Sequence, residues 1–92
     1  MQYIGYWELE YKDMDVVIEK FSKQLSEPEK YPKIIFGPFS LNDGGKGFTG
    51  YETDDPEKLQ RLQFHFAPEM LWKFVPISDV SMAIPLWKKM KG

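Results

Sequence analysis

The order of hydrophobic periods along the chain constrains its fold more than any other feature. Aromatic and β-favouring residues dominate residues 3–10 (YIGYWELE), with apolar side chains on both alternating faces, which predicts a central strand. From Met14 the apolar residues recur at helical spacing, so a helix follows, capped by Asp13 or Asp15 and ended by Pro28. The predicted buried stripe of this helix comprises Met14, Val17, Ile18, Phe21 and Leu25.

The middle of the chain predicts a hairpin. Residues 33–41 and 47–53 each favour a strand, and the turn-rich segment 42–47 (NDGGKG) joins them. Because proline cannot donate to a central ladder, Gly37 and Pro38 indicate that the first of these strands lies at a sheet edge or carries a bulge.

A second helix follows the hairpin. Asp55, Pro56 and Glu57 supply an N-cap oxygen, a preset φ angle and an acid near the positive end of the helix dipole. We expect the helix to end before Pro68, with Phe64 on its outer side. The buried stripe is predicted to comprise Leu59, Leu62, Gln63 and Phe66.

The C-terminal segment fits more than one structure. Residues 70–77 (MLWKFVPI) predict a fourth strand, whereas residues 80–87 (VSMAIPLW) match both a helical and a strand pattern. Pro85 disfavours a regular helix interior. We assign a kinked or late-starting helix to about residues 80–90, whose lysines suit the negative end of a helix dipole.

The element order β, α, β, β, α, β predicts one α+β domain over residues 1–92, a ferredoxin-like βαββαβ sandwich with an antiparallel four-stranded sheet. Its core spans about residues 3–78, and the C-terminal helix is an addition. Both main helices cover the same face of such a sheet. The other face carries Ile4 and Tyr6 from the first strand, so a monomer would expose a contiguous apolar patch. We therefore expect self-association through the open sheet face.

Three segments of the chain resemble those of a known group of proteins. They are the opening strand with the helix face at 17–21, the stretch GFTGYETDDPEKL at 47–59, and LWKFVPI at 71–77. Over residues 3–78 the chain resembles the dimeric α+β barrel superfamily, and more narrowly a small uncharacterised bacterial and archaeal family. The resemblance implies a ferredoxin-like homodimer with sheets packed face to face. The superfamily includes cofactor-independent monooxygenases and dehydratase-like proteins, but none of their catalytic motifs can be placed here.

Composition excludes several kinds of site. The chain has 92 residues, no cysteine and one histidine, which excludes disulfides, thiolate nucleophiles, zinc fingers and multi-histidine metal centres. We expect neither a metal nor a cofactor. The net charge of −2 argues against nucleic acid as a partner. Without a leader-like start or an apolar run of about 18 residues, the expectation is a cytoplasmic protein that does not contact membranes.

Two short motifs suggest ligands that their context does not support. Gly45, Gly47 and Gly50 spell GxGxxG, but a dinucleotide-binding turn needs a strand before it and a helix after it, whereas this motif falls in a hairpin. Residues 46–53 (KGFTGYET) begin like an RNA-binding strand, yet Gly50 replaces the aromatic residue that should follow Phe48. Single-stranded RNA binding on the sheet face is the weaker alternative.

Two polar clusters superficially resemble metal sites. The first consists of Glu52, Asp54, Asp55 and Glu57. Alternate side chains on a strand diverge and Asp55 is expected to cap a helix, so this cluster is interpreted as a strand exit. His65 and Glu69 have the spacing of two ligands on one helical turn, but Pro68 lies between them and a third ligand is lacking. With no second histidine or nucleophile elbow, a serine hydrolase is excluded.

Aromatic residues provide the remaining candidate site, because small-molecule pockets combine apolar walls with a few polar tips. The candidate ligand-binding residues are Tyr6, Trp7, Tyr51, His65 and Trp72. The leading hypothesis is a homodimer whose protomers each bind a small apolar or aromatic ligand. The alternative is a cofactor-independent monooxygenase- or dehydratase-like enzyme with His65 as its base.

Overall fold

Strands and helices follow one another in the predicted order. The computed structural model describes residues 1–92. The elements are β1 (Gln2–Leu9), α1 (Met14–Ser26), β2 (Lys33–Ser40), β3 (Lys46–Glu52), α2 (Pro56–Phe66), β4 (Met70–Ile77) and α3 (Val80–Lys91). Short 3-10 turns at Tyr11–Asp13 and Pro28–Lys30 flank α1.

The four strands form one sheet in the order β2-β3-β1-β4. All three neighbouring pairs are antiparallel, and β1 is central as its two-sided apolar pattern predicts. Each of the two β-α-β units crosses over one intervening strand position, so the sheet order and the element order together confirm the ferredoxin-like α+β fold.

A side-chain cap marks the start of α2 but not that of α1. The Asp55 carboxylate accepts a hydrogen bond of 2.9 Å from the Glu57 backbone N–H, which confirms the predicted cap of α2. At α1 the N-cap residue is Asp13, but its side chain makes no capping hydrogen bond. The third helix begins at Val80, so Pro85 lies inside α3 rather than delaying its start.

Strand β2 is irregular and lies at the sheet edge, as predicted from its glycine and proline. Its register with β3 shifts between Ile34 and Phe36 and again between Phe36 and Phe39. Gly37 in this interval has a φ of +81°, which glycine adopts without a steric penalty. The irregular edge lets aromatic side chains of β2 stay on the face away from the helices.

The core lies between the sheet and helices α1 and α2. Its centre is Leu62 of α2, which is fully buried, together with Tyr51 of β3 at 2% exposure. The remaining buried hydrophobic residues are Leu9, Val17, Tyr31, Phe66 and Met70. Phe64, on the outer side of α2 as predicted, is 73% exposed.

The opposite face of the sheet, here called the open face, is covered by no element of the chain. Tyr6 and Phe48 are cross-strand partners on this face, and Phe39 stands beside Phe48 with ring centroids 5.5 Å apart. Tyr6 and Phe39 are 43% and 51% exposed. The expected apolar patch is therefore present on the surface of the protomer.

Candidate small-molecule cleft

A cleft of about 200 Å³ lies between α1 and the helix-facing side of the sheet. Three exposed residues, Ile18 and Ser22 of α1 and Pro38 of β2, stand at its rim. Its remaining walls are formed by Trp7, Leu9, Met14, Val17, Phe21, Gln24, Thr49, Tyr51, Phe66, Met70 and Trp72. Ten of its fourteen lining residues are hydrophobic, so the cleft is an apolar space with few polar groups.

Three of the five predicted ligand-binding residues meet in this cleft. Trp7 and Trp72 are cross-strand partners on β1 and β4, and Tyr51 lies 6.2 Å from Trp72 between ring centroids. Alternate residues of a strand share a face, and these three all fall on the face toward the helices. Trp72 also stacks on Phe74, with an interplanar angle of 1° and centroids 5.4 Å apart.

Gly47 makes room for the Trp7 indole. A Cβ atom at this position would collide with the Trp7 ring and with the Phe39 carbonyl oxygen. The indole Nε1–H of Trp7 donates a hydrogen bond of 3.2 Å to the Thr49 hydroxyl, which is 1% exposed. A glycine and a buried threonine on β3 thus fix one aromatic wall of the cleft.

Two polar atoms on cleft residues are buried without a partner. Gln24 is 3% exposed and its Oε1 accepts no hydrogen bond, while the Nε1–H of Trp72 donates none. A buried polar group left unpaired costs about 1–3 kcal/mol. One acceptor and one donor therefore stand in the lining of this cleft with unused hydrogen-bonding capacity.

The cleft lining contains no charged side chain. Burial raises the pKa of the Tyr51 phenol well above its usual value of 10.0, so this group is neutral across the physiological range. Burying an ion in such surroundings would leave it uncompensated. The chemistry of the lining therefore suits an uncharged molecule.

His65 lies outside the cleft, between α1 and α2. Its Nε2 donates a hydrogen bond of 2.7 Å to the Lys20 backbone carbonyl, and its ring lies 5.2 Å from that of Tyr31. The Lys20 side chain forms an ion pair with Glu69 and donates a hydrogen bond of 3.0 Å to the Ala67 carbonyl. These contacts join α1 to the end of α2 and the start of β4.

The fifth predicted residue, Tyr6, is on the open face. Its neighbour Trp7 points to the cleft, because successive side chains of a strand alternate between faces. The predicted set thus divides among the cleft, the contact between α1 and α2, and the open face. Sequence reasoning missed Gln24 and Thr49; Gln24 was detectable as a polar residue seven positions after Val17 in the helix stripe.

The predicted acidic cluster is occupied by structural contacts. Asp55 caps α2, and Asp54 pairs with the N-terminal amine at 2.7 Å, which lowers the pKa of that carboxyl. A recess of about 470 Å³ beside this cluster is lined by both acids and lysines, including Glu52, Lys33 and Lys58. No group of three or more metal-ligating side chains is assembled in the chain, and no helix is long and apolar enough to cross a membrane.

The comparison with protein families decides which family this is. The model of a domain of unknown function, DUF3303, matches residues 1–91. The chain belongs to the DUF3303 family. Searches among curated proteins and among solved structures gave no match. The family description carries no activity for this DUF3303 protein.

Proposed function

We propose that this protein binds a small, uncharged aromatic molecule in the cleft beneath α1, and that it does so as a homodimer. The observation that carries the proposal is the pair of buried, unpartnered polar atoms, Gln24 Oε1 and Trp72 Nε1, on residues that line an aromatic cleft. A hydroxyl group both donates and accepts, so it can pair with either kind of atom. The aromatic walls supply the apolar contact.

The volume of the cleft sets the size of the ligand. A cavity of about 150 Å³ holds one benzene molecule, and this cleft is about 200 Å³. A single ring with a hydroxyl group therefore matches both the space and the polar atoms. His65 does not line the cleft, and its Nε2 donates to a carbonyl, so the proposal assigns binding rather than proton transfer to this site.

Three one-ring probes test the ligand class. We expect phenol to bind more tightly than benzene, because its hydroxyl can pair with an unpartnered polar group of the lining, and benzoate to bind weakest because its charge has no partner. Chemical-shift changes in ¹H–¹⁵N spectra should map to the cleft. Equal binding of benzoate and phenol, or shifts elsewhere, would contradict the proposal.

A matched pair of variants tests the place of binding. Ile18→Trp adds an indole at the rim of the cleft, whereas Val16→Trp adds the same group at an exposed position of α1 that does not line it. We expect the first variant to weaken phenol binding at least tenfold and the second to leave it unchanged. The proposal fails if both variants bind phenol like the unmodified chain.

The dimer part of the proposal rests on the open face. Two copies of this face, packed as in the dimeric α+β barrel superfamily that the chain resembles, would cover the aromatic cluster of Tyr6, Phe39 and Phe48. The face is self-complementary in charge, because Glu8 lies opposite Lys46 of β3 and next to Lys73 of β4. A two-fold arrangement can therefore bring acids of one copy to lysines of the other.

Sedimentation equilibrium over a range of concentrations tests the dimer. We expect a species of twice the 10.9 kDa chain mass, and its dissociation by Tyr6→Glu. Tyr11→Glu is the control, because it makes the same charge change at a residue off the sheet that is 67% exposed. A monomer at all concentrations, or a monomer that binds single-stranded RNA and loses it on Phe48→Ala, would contradict the homodimer.

A further inference from the structure

Helix α3 exposes an apolar side that nothing in its own chain covers. None of its twelve residues is buried or half-buried. At 100° per residue, Leu86, Trp87 and Met90 lie on one side, and Ser81 and Lys88 lie on the other. The exposed large hydrophobic residues are Val80 66%, Met82 72%, Ile84 49%, Leu86 57%, Trp87 64% and Met90 77%.

Such a helix needs a surface to pack against. Isolated helices shorter than about 12–15 residues are marginal in water, and proline removes an internal hydrogen bond. Helix α3 has 12 residues with Pro85 inside it. Its local support consists of the Asp79 cap, which accepts a hydrogen bond of 2.8 Å from the Ser81 N–H, and Lys91 over the Trp87 ring at 5.0 Å. Packing of the apolar side must supply the remaining stability of the helix.

The direction of α3 places that packing surface outside its own chain. An eight-residue strand spans about 27 Å and a 12-residue helix about 18 Å. The longest dimension of the molecule is 54 Å, which corresponds to β4 and α3 placed nearly end to end. The helix therefore extends beyond the end of the sheet, where none of its residues is buried by its own chain.

A recess of fitting size lies at the other end of the open face. It has a volume of about 240 Å³ and is flanked by Leu41 and Leu71, which are 49% and 69% exposed. Leu71 lies near the start of β4, whereas α3 follows the end of that strand. In a two-fold dimer with antiparallel β4 strands, helix α3 of one copy points toward this recess of the other.

The size of the interface also favours a second copy of the chain as the partner of α3. Four strands about 4.8 Å apart and about 27 Å long give the open face a footprint of roughly 500 Å², below the about 800 Å² per partner of a standard interface. A helix about 18 Å long and 10 Å wide adds roughly 200 Å². Helix α3 and the open face together approach the area of a standard interface, which neither reaches alone.

We propose that α3 is an exchanged arm, which packs on a second copy of the chain with Trp87 in the recess between Leu41 and Leu71. The inference rests on the homodimer of the proposed function and adds to it a reciprocal contact. Each protomer gives its helix and receives that of its partner. A buried tryptophan in a fitted pocket is a typical energetic anchor of an interface.

Sedimentation equilibrium of two full-length variants measures the contribution of the arm. Trp87→Glu places a charge on the apolar side, and Ser81→Glu makes the same charge change on the polar side. We expect the dimer dissociation constant to rise about 10- to 100-fold in the first and less than threefold in the second. Leu41→Glu at the receiving recess should match the effect of Trp87→Glu without altering α3.

A mixed-label experiment identifies which copy receives the helix. The chain has no cysteine, so Met90→Cys carries a single spin label, and it is mixed with unlabelled ¹⁵N chains. We expect line broadening near Leu41 and Leu71 in the ¹⁵N chains that carry no label. Broadening that appears only when the spin label and the ¹⁵N are in the same chain would show that the helix folds back on its own chain. That result would overturn the inference.

The remaining outcomes separate the arm from the dimer. A dimer that Tyr6→Glu dissociates but Trp87→Glu does not would leave the sheet interface standing and overturn the exchanged arm. A monomer at all concentrations would overturn both. Binding of the unmodified chain to anionic phospholipid vesicles, lost in Trp87→Glu with the dimer constant unchanged, would assign α3 to a membrane surface and also overturn the inference.

Discussion

The two faces of the sheet are built from alternate residues of the same strands, but only one is covered by the chain itself. On the covered face Tyr51 is 2% exposed, whereas on the open face Tyr6 keeps 43% of its surface exposed. Both faces are aromatic. The difference lies in what the chain provides as a cover: α1 and α2 pack on one face, and no element of the chain packs on the other. An apolar pattern thus predicts that a face will be covered, but it does not identify the molecule that covers it.

The largest difference between the faces should appear on truncating a leucine. Leu62→Ala removes a fully buried side chain beneath the covered face, and we expect it to lower the free energy of unfolding by about 2–5 kcal/mol. Leu71→Ala, on the open face, should change only the part of the free energy of unfolding that depends on protein concentration. Urea denaturation at several protein concentrations measures both; equal, concentration-independent losses would break the comparison.

Glycine substitutions sharpen the contrast in packing. Gly47→Ala would press on the Trp7 ring and a backbone carbonyl on the covered face, and Gly50→Ala would press only on the Phe36 ring on the open face. We expect a loss of about 1–3 kcal/mol for the first, because its neighbours cannot move, and under about 1 kcal/mol for the second. Thermal denaturation of the two variants checks the order, and a reversed order would contradict it.

A smaller effect of opposite sign is expected at Gln24. Gln24→Met removes the unpaired carbonyl oxygen while roughly keeping the side-chain length, so the free protein should gain about 1 kcal/mol of stability. Phenol binding should weaken at the same time. Gln60→Met, at an exposed position of α2, serves as control and should alter neither. If Gln24→Met lost stability and still bound phenol as before, the unpaired oxygen of Gln24 would not be a contact of the ligand.

The smallest effect at neutral pH concerns Tyr51. Burial raises the pKa of this phenol above its usual 10.0, so the folded chain keeps a proton that the unfolded chain loses. Its contribution to stability is complete below pH 10 and is lost as the pH rises beyond that value. Tyr51→Phe should flatten the alkaline fall of the urea midpoint, whereas exposed Tyr11→Phe should not. An unchanged slope in Tyr51→Phe would contradict this assignment.

Much of the fold is predictable because each element has its own local signal. The pair Asp55 and Pro56 fixes the start of α2, and the change of period at Met14 fixes that of α1. The course of α3 is not predictable in this way. Its amphipathic pattern indicates a covered side, but the direction in which the helix leaves β4 is set by the link at Ser78 and Asp79.

The candidate site is predictable only in part. Trp7, Tyr51 and Trp72 share a face by strand alternation, and that rule alone separates Tyr6 from them. The contacts of His65 depend on how α1 and α2 pack against each other, which no local pattern encodes. The unpaired atoms of the cleft are likewise a product of tertiary packing, since pairing depends on residues distant in sequence.

Proline lies in both edge strands of the sheet, Pro38 in the irregular β2 and Pro76 near the end of β4. Edge strands with free backbone groups can recruit further strands and build open-ended aggregates, and proline interrupts that pairing. Lateral growth of the sheet is thereby discouraged at each border. In the homodimer proposed above, association is therefore by stacking of faces, a geometry that closes after two molecules and ends there.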